Sequence, residues 1–171
     1  MATEPKLTTF VDYSILPLRI KEALQIVNDK LDLFYHYYFL GGSYRFGWET
    51  KDSDIDIMLY AQTVLSTHYD KEELELADIS ALIEHLGAVI VNNNPLNYPG
   101  SLLLETEYFG IKIQFSVITD KREFDVLLRE HKRVSDFMYK YPWLCNLVRQ
   151  MFTPGSRRYR AVLKLVKEEG V

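Results

Sequence analysis

The chain has 171 residues, of which 47% are hydrophobic and 26% charged, with 20 Lys+Arg against 24 Asp+Glu for a net charge of −4. This length fits one domain, or one core with a helical extension, and the balance excludes a disordered tail, a collagen-like chain and a disulfide-framed miniprotein. The charge is split unevenly: residues 1–120 carry 8 Lys+Arg against 18 Asp+Glu (−10), and residues 121–171 carry 12 against 6 (+6), which points to an anionic partner beside the second part.

In chain order, Ile20, Ala23, Leu24, Val27 and Leu31 recur at helical spacing and predict an amphipathic helix over 16–31, with Pro17 in its first turn. The aromatic run Leu33 to Leu40 reads as a buried strand that ends at Gly41-Gly42, with His36 packed among its aromatic neighbours. Residues 42–53 read as a Gly-Ser turn and a polar loop. Residues 54–61 alternate and then run apolar, as a central strand does. Asp70 with Glu73 resembles a capping box and Gly87 a C-cap, so a helix is expected over about 71–86. A short strand at 88–91 and a loop from Asn92 to Gly100 follow. Residues 101–108 and 111–118 flank Phe109-Gly110 as the arms of a hairpin. From a second capping box, Asp120 with Glu123, the pattern is helical to the C-terminus, broken at Tyr141-Pro142 and at Thr153-Pro154-Gly155. The fold class is α+β. Residues 1–120 form the core, and residues 121–171 form a helical extension packed on it as one domain. No apolar run nears the ~20 residues that span a bilayer, so no membrane partner is expected. A single cysteine, Cys145, and an N-terminus without a signal pattern point to the cytoplasm. The apolar neighbours of Cys145 make it a buried structural thiol.

The chemistry lies in Gly42-Ser43 and Asp54-Ile55-Asp56-Ile57. Residues two apart on a strand point to one face, so Asp54 and Asp56 form a carboxylate pair. Such a pair is costly unless a cation neutralises it, and hard oxygen ligands suit Mg²⁺ or Mn²⁺. Glycines beside a serine let backbone N–H groups and a hydroxyl approach phosphate oxygens. Phosphate cradle and metal pair together suit phosphoryl chemistry on a nucleoside triphosphate. Arg45 reads either as a phosphate contact or as a surface loop residue.

Gly42-Ser43, ten intervening residues, then Asp54-Ile55-Asp56-Ile57 resembles the active-site signature of the DNA polymerase β-like nucleotidyltransferase superfamily, in particular its small stand-alone prokaryotic and phage members. The motif covers about 16 residues, and the order of elements extends the likeness to residues 16–118. The resemblance implies a mixed sheet of about four to five strands with flanking helices and a helical C-terminal piece. It also implies that Gly42, Ser43 and the adjacent backbone hold the triphosphate of an NTP, that Asp54 and Asp56 bind the metal, and that a third carboxylate on a later strand helps deprotonate the acceptor hydroxyl. A nucleoside monophosphate would pass to RNA, a protein hydroxyl or a small molecule, with release of pyrophosphate.

The position of the third acid falls on Gln114, whose neutral amide cannot act as a carboxylate base. A two-residue turn at Phe109-Gly110 sets Tyr108 opposite Ile111, Glu107 opposite Lys112 and Glu105 opposite Gln114. Opposed side chains share a face about 5 Å apart at Cβ. Glu105 therefore becomes the replacement acid, with Glu107 expected to pair with Lys112. Near the C-terminus, Arg157, Arg160, Lys164 and Lys167 share one helix face, either a solvated surface or a binding face for nucleotide or RNA phosphates. Two readings go forward: a metal-dependent nucleotidyltransferase, and a degenerate relative that binds nucleotide or nucleic acid without catalysis. A third, a regulatory or antitoxin-like partner protein, has no residue of its own to support it.

Overall fold

Three helical stretches and five short apolar segments leave a sheet with two faces to cover. The computed structural model describes residues 16–32, 37–60, 83–92, 102–118, 120–151 and 156–168. Helix α1 spans Leu18–Asp32 and buries the predicted stripe Ile20, Ala23, Leu24, Val27 and Leu31. Strand β1 (Tyr38–Gly41) leads into a short helix, α2 (Gly42–Phe46), and then strand β2 (Ile55–Tyr60). Strands β3 (Val89–Asn92), β4 (Leu102–Tyr108) and β5 (Ile111–Ile118) follow, and helices α3 (Lys121–Lys140), α4 (Leu144–Met151) and α5 (Ser156–Glu168) close the chain. The expected strand segment 33–36 with His36, most of the 71–86 helix with its capping box, residues 93–101 and the Thr153-Pro154-Gly155 break lie outside the described residues. Residues 83–86 are helical and end at Gly87, which has φ +64 as a C-cap glycine does.

The five strands form one mixed sheet in the order β1-β2-β5-β4-β3. Among the described strands only β2 and β5 pair in parallel; the other neighbours are antiparallel. Alternation then sorts the side chains. One face presents Leu40, Ile55, Ile57, Leu59, Leu104, Ile113, Phe115 and Val117 to α1, and this is the main core. On the other face, Phe39 and Ile118 pack against Phe124 and Leu127 of α3. Asp120 caps α3, its carboxylate accepting from the N–H groups of Arg122 (2.8 Å) and Glu123 (3.2 Å). A third cluster joins Phe46 and Trp48 to Val134, Phe137 and Met138 of α3, Val148 of α4, and Val162 and Val166 of α5. The helical C-terminal segment is thus built onto the α2 turn. No helix among the described residues is long and apolar enough to cross a membrane.

The largest departure from the sequence reading is α2. Residues 42–46 were expected as turn and loop, yet they form one helical turn and a half, closed by Gly47 at φ 87, whose N–H donates to the Ser43 carbonyl at 2.9 Å. Five residues are too few to show a helical period, and an opening glycine disguises the start.

Candidate functional site

Four strands carry the site on the sheet face that α1 does not cover. Gly41 pairs with Asp56, Asp56 with Gln114, and Gln114 with Glu105. These four residues therefore form one row across β1, β2, β5 and β4. Asp54 lies two positions before Asp56, on the same side. The hairpin register is the expected one: Tyr108 opposite Ile111, Glu107 opposite Lys112, and Glu105 opposite Gln114. The side chains follow through, with Gln114 Nε2 donating to Glu105 Oε2 at 3.2 Å.

The Gly42-Ser43 turn meets this row at Asp56. Gly42 has φ +65, and a Cβ placed on it would lie 2.9 Å from Asp56 Cγ and closer still to Oδ2. Only glycine fits between the turn and the carboxylate. The two halves of the sequence motif, separated by ten residues in the chain, are in contact in space. Ser43 is half-buried beside them.

Electrostatics reflect the crowding. Burial, reinforced by the charge of Asp54, pushes the Asp56 carboxyl up to about 7 from an ordinary 3.8. Asp54 is also raised, by burial; Lys112 acts against this and Glu105 adds to it. An unneutralised carboxylate pair of this kind is a place where a cation would be favoured. Among the described residues no three His, Cys, Asp or Glu side chains converge to hold a metal ion.

Lys112 departs from its expected partner. It was expected to pair with Glu107, but its Nζ lies 3.8 Å from Glu105 Oε1. Diagonal neighbours on adjacent strands are within reach of a lysine, and the acidic row draws the ammonium along β5.

Arg45 is neither a surface loop residue nor, in this arrangement, turned toward the row. It is 4% exposed. Its Nε donates to Ser135 Oγ at 2.7 Å, its Nη1 donates to the Leu40 carbonyl at 2.8 Å, and the guanidinium sits over the Phe39 ring. It ties the end of β1 and α2 to α3. Replacing Ser135 with Ala removes one of these acceptors inside the protein. Urea unfolding should show a loss of about 1–3 kcal/mol; a loss below about 0.5 kcal/mol would mean the clamp is not rigid.

His131 completes the packing under α2. Its Nδ1 donates to the Leu127 carbonyl at 2.7 Å, and the ring stacks on Tyr159. Burial, with a further contribution from Arg45, holds it neutral, down to about 3. Cys145 is half-buried rather than fully buried, with Sγ 3.7 Å from the Phe46 carbonyl. Arg157, Arg160, Lys164 and Lys167 are all exposed on α5. Lys164 faces Glu168 at 4.0 Å and Lys167 faces Glu130 at 3.8 Å, so this face is partly neutralised.

The chain matches no protein-family model, and no curated protein matches it. The case for function therefore rests on the row and the turn themselves. Sequence reasoning missed one member of the site, Lys112; the signal for it was its place two residues before Gln114 on the same strand face.

Proposed function

We propose that the protein is a metal-dependent nucleotidyltransferase that moves a nucleoside monophosphate from an NTP to an acceptor hydroxyl. The observation that carries this reading is the seat of Asp56 against Gly42. It brings a close-approach backbone turn and a crowded carboxylate pair together at one edge of the row. In the proposed reaction the acceptor oxygen attacks the α-phosphorus, the bond from that phosphorus to the α,β-bridging oxygen breaks, and pyrophosphate leaves. Gly42 and Ser43 hold phosphate oxygens through backbone N–H groups and the hydroxyl. Asp54 and Asp56 would hold a Mg²⁺ or Mn²⁺ ion, which would supply positive charge against the phosphates. Two carboxylates alone do not fill the shell of such an ion, which keeps room for phosphate oxygens and water. Glu105, aligned with Asp56 through Gln114, takes the place of the third carboxylate and receives the acceptor proton. The acceptor is RNA, a protein or a small molecule.

Gln114 favours a second reading. An amide stands beside Asp56 where a base is needed, as it would in a relative that binds nucleotide without transfer. One assay separates the two. The protein is incubated with each labelled NTP, Mg²⁺ or Mn²⁺, and total RNA or lysate. Transfer of label that disappears in Asp54→Ala and Asp56→Ala supports the enzyme, and Glu105→Gln should abolish transfer in the same assay. Metal-dependent NTP binding without label on any acceptor supports the degenerate reading.

A further inference from the structure

We propose that Lys112 is a resident cation that fills the acceptor side of this site, so that the chain takes up one divalent ion and not two. The inference rests on the nucleotidyltransferase reading, because it concerns how that site balances its charge.

The row collects three carboxylates, from Asp54, Asp56 and Glu105, and one ammonium, from Lys112. Lys112 is paired with one of the three, Glu105. Its Nζ is 3.8 Å from Glu105 Oε1. The other oxygen of Glu105 accepts from Gln114 Nε2 at 3.2 Å. Both oxygens of Glu105 are therefore engaged by side chains of β5. A divalent ion at Glu105 would have to displace the ammonium or sit beside it, and like charges at that separation repel. Among the described residues no cation pairs with Asp56, which is seated against the Gly42 backbone and faces the Asp54 carboxylate. One end of the row is left for a divalent ion, and the other end is already served by a lysine. Gln114 fits this division. A third acid there would face the same lysine, whereas an amide donates to Glu105 and steadies the pair. A lysine also differs from a metal ion in what it can do: it compensates charge and donates hydrogen bonds, but it cannot polarise several oxygens within one coordination shell.

The test counts ions. Mn²⁺ is titrated into the full-length protein carrying one equivalent of a non-hydrolysable NTP analogue, and bound Mn²⁺ is read from the loss of the free-ion EPR signal. The wild type should bind one Mn²⁺ per chain. Lys112→Met should bind two, because it frees Glu105. Lys112→Arg, which keeps the charge, should bind one. Adding Glu105→Gln to Lys112→Met should return the count to one. Lys112 is half exposed in its side chain, so these variants keep the fold, and circular dichroism confirms it. Two ions on the wild type, or one on Lys112→Met, overturns the proposal. Mn²⁺ uptake no greater than that of the analogue alone, in the wild type and all variants, overturns the nucleotidyltransferase reading itself.

Discussion

Asp56→Asn should make the ion-free protein more stable at pH 8 while reducing the proposed nucleotidyl transfer at least about 100-fold, the scale of losing one charge-stabilising group. The folded-state carboxyl titrates at about 7, against an ordinary 3.8, because it is buried and faces Asp54. Between those two values the folded protein holds a proton that the unfolded chain has released. Stability from this group therefore falls as pH rises through that window, and the penalty is complete above about pH 7. Asparagine has the same shape and no charge to desolvate. Asp56 keeps part of its surface in water, so the gain is a fraction of the full linkage, about 1–2 kcal/mol, or roughly 3–6 °C in melting temperature for a chain of this size. Thermal melts of both proteins at pH 5 and pH 8 in EDTA check it. The difference should be largest at pH 8 and small at pH 5. Equal melting temperatures at pH 8 would mean that the carboxylate is well solvated and the crowding at Gly42 is illusory.

Among the described glycines, Gly42 should be the one where an added methyl, in Gly42→Ala, does most damage. Two costs combine. The backbone at φ +65 disfavours any L side chain, and the added carbon falls on the Asp56 carboxylate. Together they amount to about 2–4 kcal/mol, and the carboxylate displaced from its seat should take transfer activity with it. Gly87 supplies an internal control. It has nearly the same backbone angle, φ +64, but nothing among the described residues lies within 4 Å of an added Cβ. Gly87→Ala should cost only the backbone part, about 1–2 kcal/mol, and leave transfer unchanged. The excess at Gly42 should shrink in an Asp56→Ala background, where the clashing carboxylate is gone, and a double-mutant cycle reads that coupling directly. Equal losses at Gly42 and Gly87 would show that the turn and the carboxylate do not touch.

Much of this arrangement is legible in the chain. The stripe Ile20, Ala23, Leu24, Val27 and Leu31 fixes the buried face of α1, because a long period leaves little ambiguity. The two-residue turn at Phe109-Gly110, both at positive φ, sets the hairpin register, and with it the alignment of Glu105 with Gln114. What escapes a linear reading is what depends on neighbours distant in sequence. The alignment of β5 beside β2 in parallel brings Gln114 to Asp56, and no local pattern encodes it. The five-residue helix after Gly41 is too short to announce itself. Lys112 chooses Glu105 over Glu107 for the field of the whole row rather than for its cross-strand partner. Arg45 reads as polar loop from its neighbours, but it is enclosed by a helix that begins 76 residues later, at Lys121. Cys145 reads as buried from its apolar neighbours, and the short α4 leaves it only half covered.

The clamp at Arg45 has a consequence for how this protein can change. The Gly42-Ser43 turn has two landlords. One is the sheet, through Leu40 and Asp56; the other is the basic C-terminal segment, through Ser135, Phe46 and Trp48. The acidic and basic halves of the sequence differ in charge but share the upkeep of one turn. A lineage could not trade its C-terminal helices for another set, as it might swap a tether or a tag, without refitting the turn they brace. Drift in α5, which carries none of the row's carboxylates, would be felt first as a change in how the turn meets Asp56.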